Sequence, residues 1–311
     1  MYTALMPELP EVQTTVSGLN RVLPGLFIEN VWSDMWSASK LAKNTIKDKG
    51  YFPYFTKYAL KSKVLGVRRR AKYILIDLEN GFTVIVHMKM TGHLMYGKYK
   101  QNKAYNGKEW SWIPDSANQA LLDPYNRHIH VVFSLSDGKQ LVFCDSRKFG
   151  TIVVEKTSSL DNERLSHLGP EPLEKSFTVT IFRDRLLKSP TRSLKTVLMD
   201  QSIISGIGNI YSDEMLHSAH IKPTRTSRSL TMPETTLLFS SMQNVLRKGL
   251  DFGGDSMSDY RNIEGERGKF QEKHLVYLRT KLPCKTKDCS GIIKKEKING
   301  RSAHYCPVCQ K

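Results

Sequence analysis

The chain has only five cysteines in 311 residues. A small scaffold stapled by disulfides is therefore excluded, and the fold must rest on hydrophobic cores. No uninterrupted apolar stretch reaches the roughly 18 to 20 residues that a membrane-spanning helix needs. Acidic side chains are scarce as well, 30 Asp and Glu against 47 Lys and Arg, for a net charge of +17. A positive field of this size most often serves a polyanionic partner, and nucleic acid is the first candidate. Pro7, Glu8, Pro10 and Glu11 follow the first residues at once. That opening fits no signal peptide and points to a reducing cytoplasm. Internal repeats and low-complexity tracts are absent too, so the length implies two or three ordinary domains.

What is present changes period along the chain. Val12, Val16, Leu19 and Leu23 recur at helical spacing, which predicts a helix over 11–23 that begins near Pro10 and stops before Pro24-Gly25. Runs rich in β-branched and aromatic residues follow at 64–78, 82–90, 128–135, 140–144 and 151–154, separated by turn sequences such as Glu79-Asn80-Gly81. They predict mostly antiparallel sheet. Residues 96–127 are polar and irregular, carry Trp110 and Trp112, and read as an insertion. Helices are expected at 177–188, 194–199, 210–219 and 233–250, the last opened by Thr231-x-x-Glu234 with Pro233 in the first turn. The remainder, from 274 on, is basic and holds four of the five cysteines.

Cys284-x4-Cys289 and Cys306-x2-Cys309 are separated by sixteen residues. Each pair can grip one ion from a tight turn, and four thiolates make a closed, structural zinc site. Two disulfides are the alternative, disfavoured in a reducing compartment. Cys144 beside Phe143 reads as core filling.

Met6-Pro7-Glu8-Leu9-Pro10-Glu11-Val12 resembles the opening of the formamidopyrimidine-DNA glycosylase and endonuclease VIII family of base-excision repair enzymes. The resemblance continues in family order through Arg69-Arg70-Ala71-Lys72-Tyr73, His87-Met88-Lys89-Met90-Thr91-Gly92, Asp145-Ser146-Arg147-Lys148-Phe149-Gly150, His167-Leu168-Gly169-Pro170-Glu171-Pro172, Leu198-Met199-Asp200-Gln201 and Gly206-Ile207-Gly208-Asn209-Ile210-Tyr211, and ends in the cysteine ribbon. It implies an α+β multidomain protein: a two-sheet β-sandwich with the N-terminal helix (1–156, with the 96–127 insertion), a helix-two-turn-helix domain (157–273) and a zinc ribbon (274–311). The partner implied is damaged double-stranded DNA, bound by a monomer between the two halves.

The resemblance also assigns roles. Pro7 is the nucleophile, Glu8 its acid-base partner, Lys72 a proton donor in β-elimination, and Arg301 a phosphate contact linked to δ-elimination. Met90, Arg147 and Phe149 fill the void left by an extruded nucleotide, while His128 and Asn209 contact the DNA backbone. Cys284, Cys289, Cys306 and Cys309 hold one structural Zn²⁺. The polar loop 253–270 resembles the lesion-capping loop of the formamidopyrimidine branch, which favours oxidised purines such as 8-oxoguanine over the oxidised pyrimidines of endonuclease VIII. Plainer readings stand beside these. Glu8 and Glu11 could simply complement a helix N-terminus, Lys72 could be an exposed strand lysine, Met90 and Phe149 could be core, and His128 could be structural.

Three departures from the family pattern stand out: Lys148 where many relatives have arginine, four residues rather than two inside the first cysteine pair, and the unplaced insertion. A proline nitrogen inside a chain is an amide and cannot attack carbon, whereas at a chain start it is a secondary amine. Residues 1–5 therefore conflict with the mechanism. Translation is expected to begin at Met6, or the extension to be removed. If it stays, a damaged-DNA-binding protein without catalysis is the rival.

Overall fold

The computed structural model describes residues 6–102, 111–115 and 118–311. The elements run α1 (Leu9–Val22), β1 (Ile28–Ser33), α2 (Phe52–Ala59), β2 (Val64–Arg70), β3 (Tyr73–Leu78), β4 (Phe82–His87), β5 (Gly92–Gly97), β6 (Tyr99–Gln101), β7 (Trp112–Pro114), β8 (Ile129–Leu135), β9 (Gln140–Asp145), β10 (Thr151–Lys156), α3 (Val179–Leu186), α4 (Leu194–Leu198), α5 (Asn209–Ser218), α6 (Met232–Asp251), β11 (Lys294–Ile298) and β12 (Arg301–Tyr305). They form two compact units, Met1–Ser166 with Gly253–Lys269, and His167–Phe252 with Phe270–Lys311.

The first unit is a β-sandwich. Its sheets run β1-β8-β9-β5 and β10-β4-β3-β2, antiparallel throughout. Alternate residues of both enter one core, among them Val131, Phe133 and Phe143 from one sheet and Ile74, Ile76, Val84 and Val86 from the other. The α1 stripe Val12, Val16, Leu19 and Leu23 closes the same core. A register shift at Ile129/Val131 breaks the alternation of β8 just after His128. It sends Ile129 to the outer face with Val132, while Val131 stays inside.

That outer face explains much of the supposed insertion. Residues 96–97 end strand β5, and Tyr99, Leu121 and Trp112 cover Met95, Ile129, Val132, Val142 and Cys144. Trp112 packs edge-on against Trp32, with ring centroids 5.6 Å apart, whereas Trp110 lies outside the described residues. Cys144 is core filling, as expected.

The run at 64–78 is two strands rather than one. Arg70 pairs with Tyr73, so Ala71-Lys72 is a two-residue hairpin turn, and Ala71 takes the positive φ of 52° that primed turns require. Strands β1 and β5 and helix α2 carry no clear period in sequence. Helix α2 buries only Phe55 and Ala59 among its eight residues.

In the second unit α5 is buried along nearly its whole length, polar Ser212, Asp213, Glu214 and His217 included. Helix α6 opens with the expected Thr231–Glu234 capping box. The cysteine ribbon folds around the β11-β12 hairpin.

The loop at 253–270 is expected from sequence within the helical segment, but its contacts group Gly253–Lys269 with the sheets. Nor is it a loose polar loop. Tyr260, Arg261 and Ile263 are buried, and Ile263 joins the sandwich core. Among the described residues no helix is long and apolar enough to cross a membrane.

Candidate active site and nucleic-acid interface

Pro7 and Glu8 are both buried, at the point where α1 begins. Glu8 is the N-cap residue, and its N–H donates to Glu11 Oε2 at 2.7 Å. The other oxygen of that carboxylate, Oε1, accepts from Asp255 N–H of the loop, also at 2.7 Å. Tyr260 Oη donates to the Glu11 carbonyl at 3.0 Å. Glu11 thus does the capping suggested for it and, in addition, fastens the loop to the residue after Pro7. Gly254 has φ +83°, and a Cβ there would lie 2.8 Å from Glu11 Oε1, so this approach demands glycine.

Lys72 sits at the tip of the β2-β3 hairpin, not along a strand, and it is 8% exposed. The plain reading of an exposed lysine is therefore overturned. Arg69 braces the tip: Nε donates to Gln13 Oε1 of α1 at 2.9 Å and Nη1 to the Ala71 carbonyl at 3.0 Å. Neighbouring His87 is driven down to about 3 by burial, with Lys89 and Lys72 adding to the effect, and it stays neutral.

Met90, Arg147 and Phe149 come from two different turns and meet. Arg147 Nη1 lies 3.5 Å from Met90 Sδ, and its guanidinium carbon is 4.5 Å from the centroid of the Phe149 ring. Phe149 is 48% exposed, which rules out the reading of it as core. One buried carboxylate shapes both turns. Asp145 accepts from the Thr91 hydroxyl, from Arg147 N–H at 3.3 Å and from Gly150 N–H at 2.6 Å. Ala71, Lys89 and Lys148 all have positive φ. Backbone strain of this kind gathers where a side chain must be aimed, and these three positions adjoin Lys72, Met90, Arg147 and Phe149. His128, at the start of β8, is half-buried; burial and then Arg127 lower its pKa.

Asn209 and Arg301 belong to the second unit, each placed by local geometry. Asn209 is the first residue of α5, after the N-cap Gly208. Its Nδ2 lies 3.3 Å from Ser302 Oγ, so it contacts the residue next to Arg301. Arg301 follows an Asn299-Gly300 turn with φ of 45° and 82°, a type I′ hairpin. Asn299 Nδ2 also donates to Thr196 Oγ1 at 3.1 Å.

The model for the N-terminal domain of formamidopyrimidine-DNA glycosylase matches residues 6–152, the model for its H2TH domain 168–261, and that for a zinc finger found in FPG and IleRS 281–311. The chain belongs to the formamidopyrimidine-DNA glycosylase family. The formamidopyrimidine-DNA glycosylase of Pelotomaculum thermopropionicum is 39% identical over 98% of this chain and 99% of its own length. That of Heliobacterium modesticaldum is 36% identical over 98% and 100%. Among solved structures, a Lactococcus lactis FPG variant in complex with a Fapy-dG containing DNA superposes with a TM-score of 0.80 at 29% identity, covering 98% of this chain and all of that one. The Lactococcus lactis Fpg complexed with DNA containing an abasic site gives 0.80 at 28%, over 98% and 99%.

The family's zinc site fits these residues. The four Sγ atoms of Cys284, Cys289, Cys306 and Cys309 lie within 4.8 Å of one another. The pairs Cys284–Cys309 and Cys289–Cys306 are 3.7 and 3.6 Å apart, close to the edge of about 3.8 Å that Zn–S bonds of about 2.3 Å give a tetrahedron. Backbone N–H groups of Thr286 and Gly291 point at Cys284 and Cys289 from 3.5 and 3.4 Å. One structural zinc ion is the cofactor. Four thiolates fill its coordination, so it leaves no position for chemistry.

Family motifs did not point to the buried network behind Asn209. Lys195 Nζ, wholly buried, donates to Asn209 O, Ser212 Oγ and Asp213 Oδ1 at 2.7, 2.8 and 2.7 Å. Asp213 Oδ2 takes the N–H of His304 at 2.8 Å and lies 2.9 Å from its ring Nδ1. Glu214 accepts three backbone N–H groups, from Leu275, Val276 and Tyr277.

Proposed function

We propose that this chain is a base-excision DNA repair enzyme, a bifunctional glycosylase and abasic-site lyase that removes oxidised purines, 8-oxoguanine and formamidopyrimidines, from double-stranded DNA. The observation that carries it is the meeting of Met90, Arg147 and Phe149. A half-buried thioether with an exposed guanidinium and ring on two strained turns serves a protein that fills a gap in a base stack.

In this reading Pro7, once it is the first residue, attacks C1′ of the extruded nucleotide with its secondary amine, and the damaged base leaves. A terminal amine titrates near 8, so a useful fraction is neutral at physiological pH. Glu8 handles the proton transfers beside it. The resulting imine acidifies the C2′ protons; loss of one expels the 3′ phosphate, with Lys72 as proton donor in β-elimination. Arg301 contacts phosphate and assists δ-elimination, and Asn209 and His128 hold the DNA backbone. The loop carrying Asp255, Ser256 and Tyr260 covers the flipped base. A monomer in the cytoplasm completes the proposal.

Borohydride trapping on a duplex with 8-oxoguanine opposite cytosine tests it, with mass spectrometry of the trapped peptide and single-turnover rates. The expected result is a cross-link on Pro7 as first residue, β,δ-elimination products, and faster cutting than on a thymine glycol duplex. The reverse preference would move the chain to the endonuclease VIII branch. A protein that keeps Met1 and binds lesions without cutting would be the non-catalytic rival, and one that keeps Met1 yet cross-links at full rate would refute the amine mechanism.

A further inference from the structure

Arg261 is 1% exposed although nothing in the chemistry above uses it. Its guanidinium reaches in two directions. Nε and Nη2 donate to the Asp123 carboxylate, the closest pair at 3.0 Å, and Nη1 donates to the carbonyls of Ser258 and Tyr260 at 2.8 Å each. Its cation also lies 4.7 Å from the centroid of the Tyr125 ring. A buried guanidinium is tolerable only when its donors are matched, and here the partners come from two segments far apart in sequence.

Further contacts join the same two segments. Asn118 Nδ2 donates to the Glu264 carbonyl at 3.0 Å and Asn126 Nδ2 to the Gly265 carbonyl at 3.4 Å, while Asn126 is held within its own segment by the Ala120 carbonyl at 2.9 Å. Gly265 has φ +83°, and a Cβ there would sit 2.8 Å from the Ala120 carbonyl oxygen. Residues 118–127 thus form a cradle for residues 258–265. The other end of the loop is fixed by Glu11 on Asp255, and Ser146 Oγ adds a bond to Asp259 Oδ1 at 3.0 Å.

We propose that the Asp123–Arg261 pair is a positioning device for base recognition: it braces the lesion-capping loop and fixes where Asp255, Ser256 and Met257 stand. This rests on the reading of 253–270 as the loop that covers the flipped base. The brace acts on recognition of the base and not on the lyase chemistry, because an abasic site offers the loop nothing to grip.

The test compares single-turnover excision of 8-oxoguanine with strand cleavage at a preformed abasic site, in full-length zinc-loaded protein. In Asp123→Asn and Arg261→Met, excision is expected to fall about tenfold or more while abasic cleavage stays within about twofold. Equal losses on both substrates, or none on either, overturn the proposal. A Met257→Gly/Ser258→Gly variant separates this from the loop reading itself. If that variant slows excision and Asp123→Asn does not, the brace is wrong and the loop reading stands; if neither slows it, both fall. Should Arg261→Met not fold, Asp123→Asn, at a partly exposed position, carries the test with amide exchange. Faster exchange across 255–268 alone supports the brace, and unchanged protection there overturns it.

Discussion

Replacing Asp213 by Asn probes the buried network that holds the Arg301 hairpin against the start of α5. The side chains of Lys195 and Asp213 are both fully excluded from solvent, with Nζ and Oδ1 2.7 Å apart. The same carboxylate takes the His304 N–H at 2.8 Å. Asparagine keeps the shape but removes the charge that compensates Lys195, and it turns either one acceptor or its NH₂ toward two donors on the His304 side. Removing one partner of a buried pair costs about 3–5 kcal/mol because the other charge stays behind unpaired. Since one acceptor oxygen survives, the lower end applies, about 3 kcal/mol, or more than a hundredfold in the unfolding constant. Equilibrium urea unfolding of the zinc-loaded protein, followed by far-ultraviolet circular dichroism, reads this directly. DNA affinity should fall with it, because the Asn209 carbonyl is bound to the same ammonium. Adding Lys195→Met should recover at least about 1 kcal/mol, since two missing charges are tolerated better than one orphan. A loss below about 1 kcal/mol for Asp213→Asn, or strict additivity in the double variant, would refute the network as a stabilising element.

Acid should destabilise the sandwich unit through its buried histidines. Burial holds His87 near about 3 and His93 near about 4, below the unfolded value of about 6.5. The unfolded chain therefore binds more protons below pH 6.5, and stability present above that pH is lost progressively down to pH 4 and below. At pH 5 the loss is about 2 kcal/mol per histidine as an upper bound; a flat stability profile between pH 7 and 5 would contradict it. Zinc removal should unfold the ribbon, whose own core is little more than Val276, Ile293 and Cys306. A chelator is expected to abolish amide protection across 284–311 and to weaken DNA binding and its salt dependence, because Lys294, Lys295, Lys297 and Arg301 lose their hairpin. Protection that persists in metal-free protein would show that zinc is not the staple.

Local chemistry carried far in the sequence alone. Four thiol side chains at metal spacing need no fold to be recognised, because zinc asks only for donors that a tight turn can deliver. Helix α1 and the capped helix α6 were legible because their apolar stripes and first-turn residues are written within a single element. The motif order from Pro7 to Cys309 fixed the family, and the family matches bear this out. Residues whose meaning depends on a distant partner were not legible. Without the family motif Lys72 reads as a strand lysine, because nothing local marks Ala71-Lys72 as a turn; the Arg70–Tyr73 pairing decides it. Taken alone, Phe149 and Met90 read as core; the family motifs grouped them with Arg147, and the contacts among the three come only from the tertiary structure. The insertion and the polar loop each seemed unstructured, yet Asp123 and Arg261, 138 residues apart, satisfy each other. Asp145, Asp213 and Glu214 are ordinary acidic residues in sequence. Burial gives them their roles, since a carboxylate inside a protein must gather donors and thereby fixes the segments that supply them.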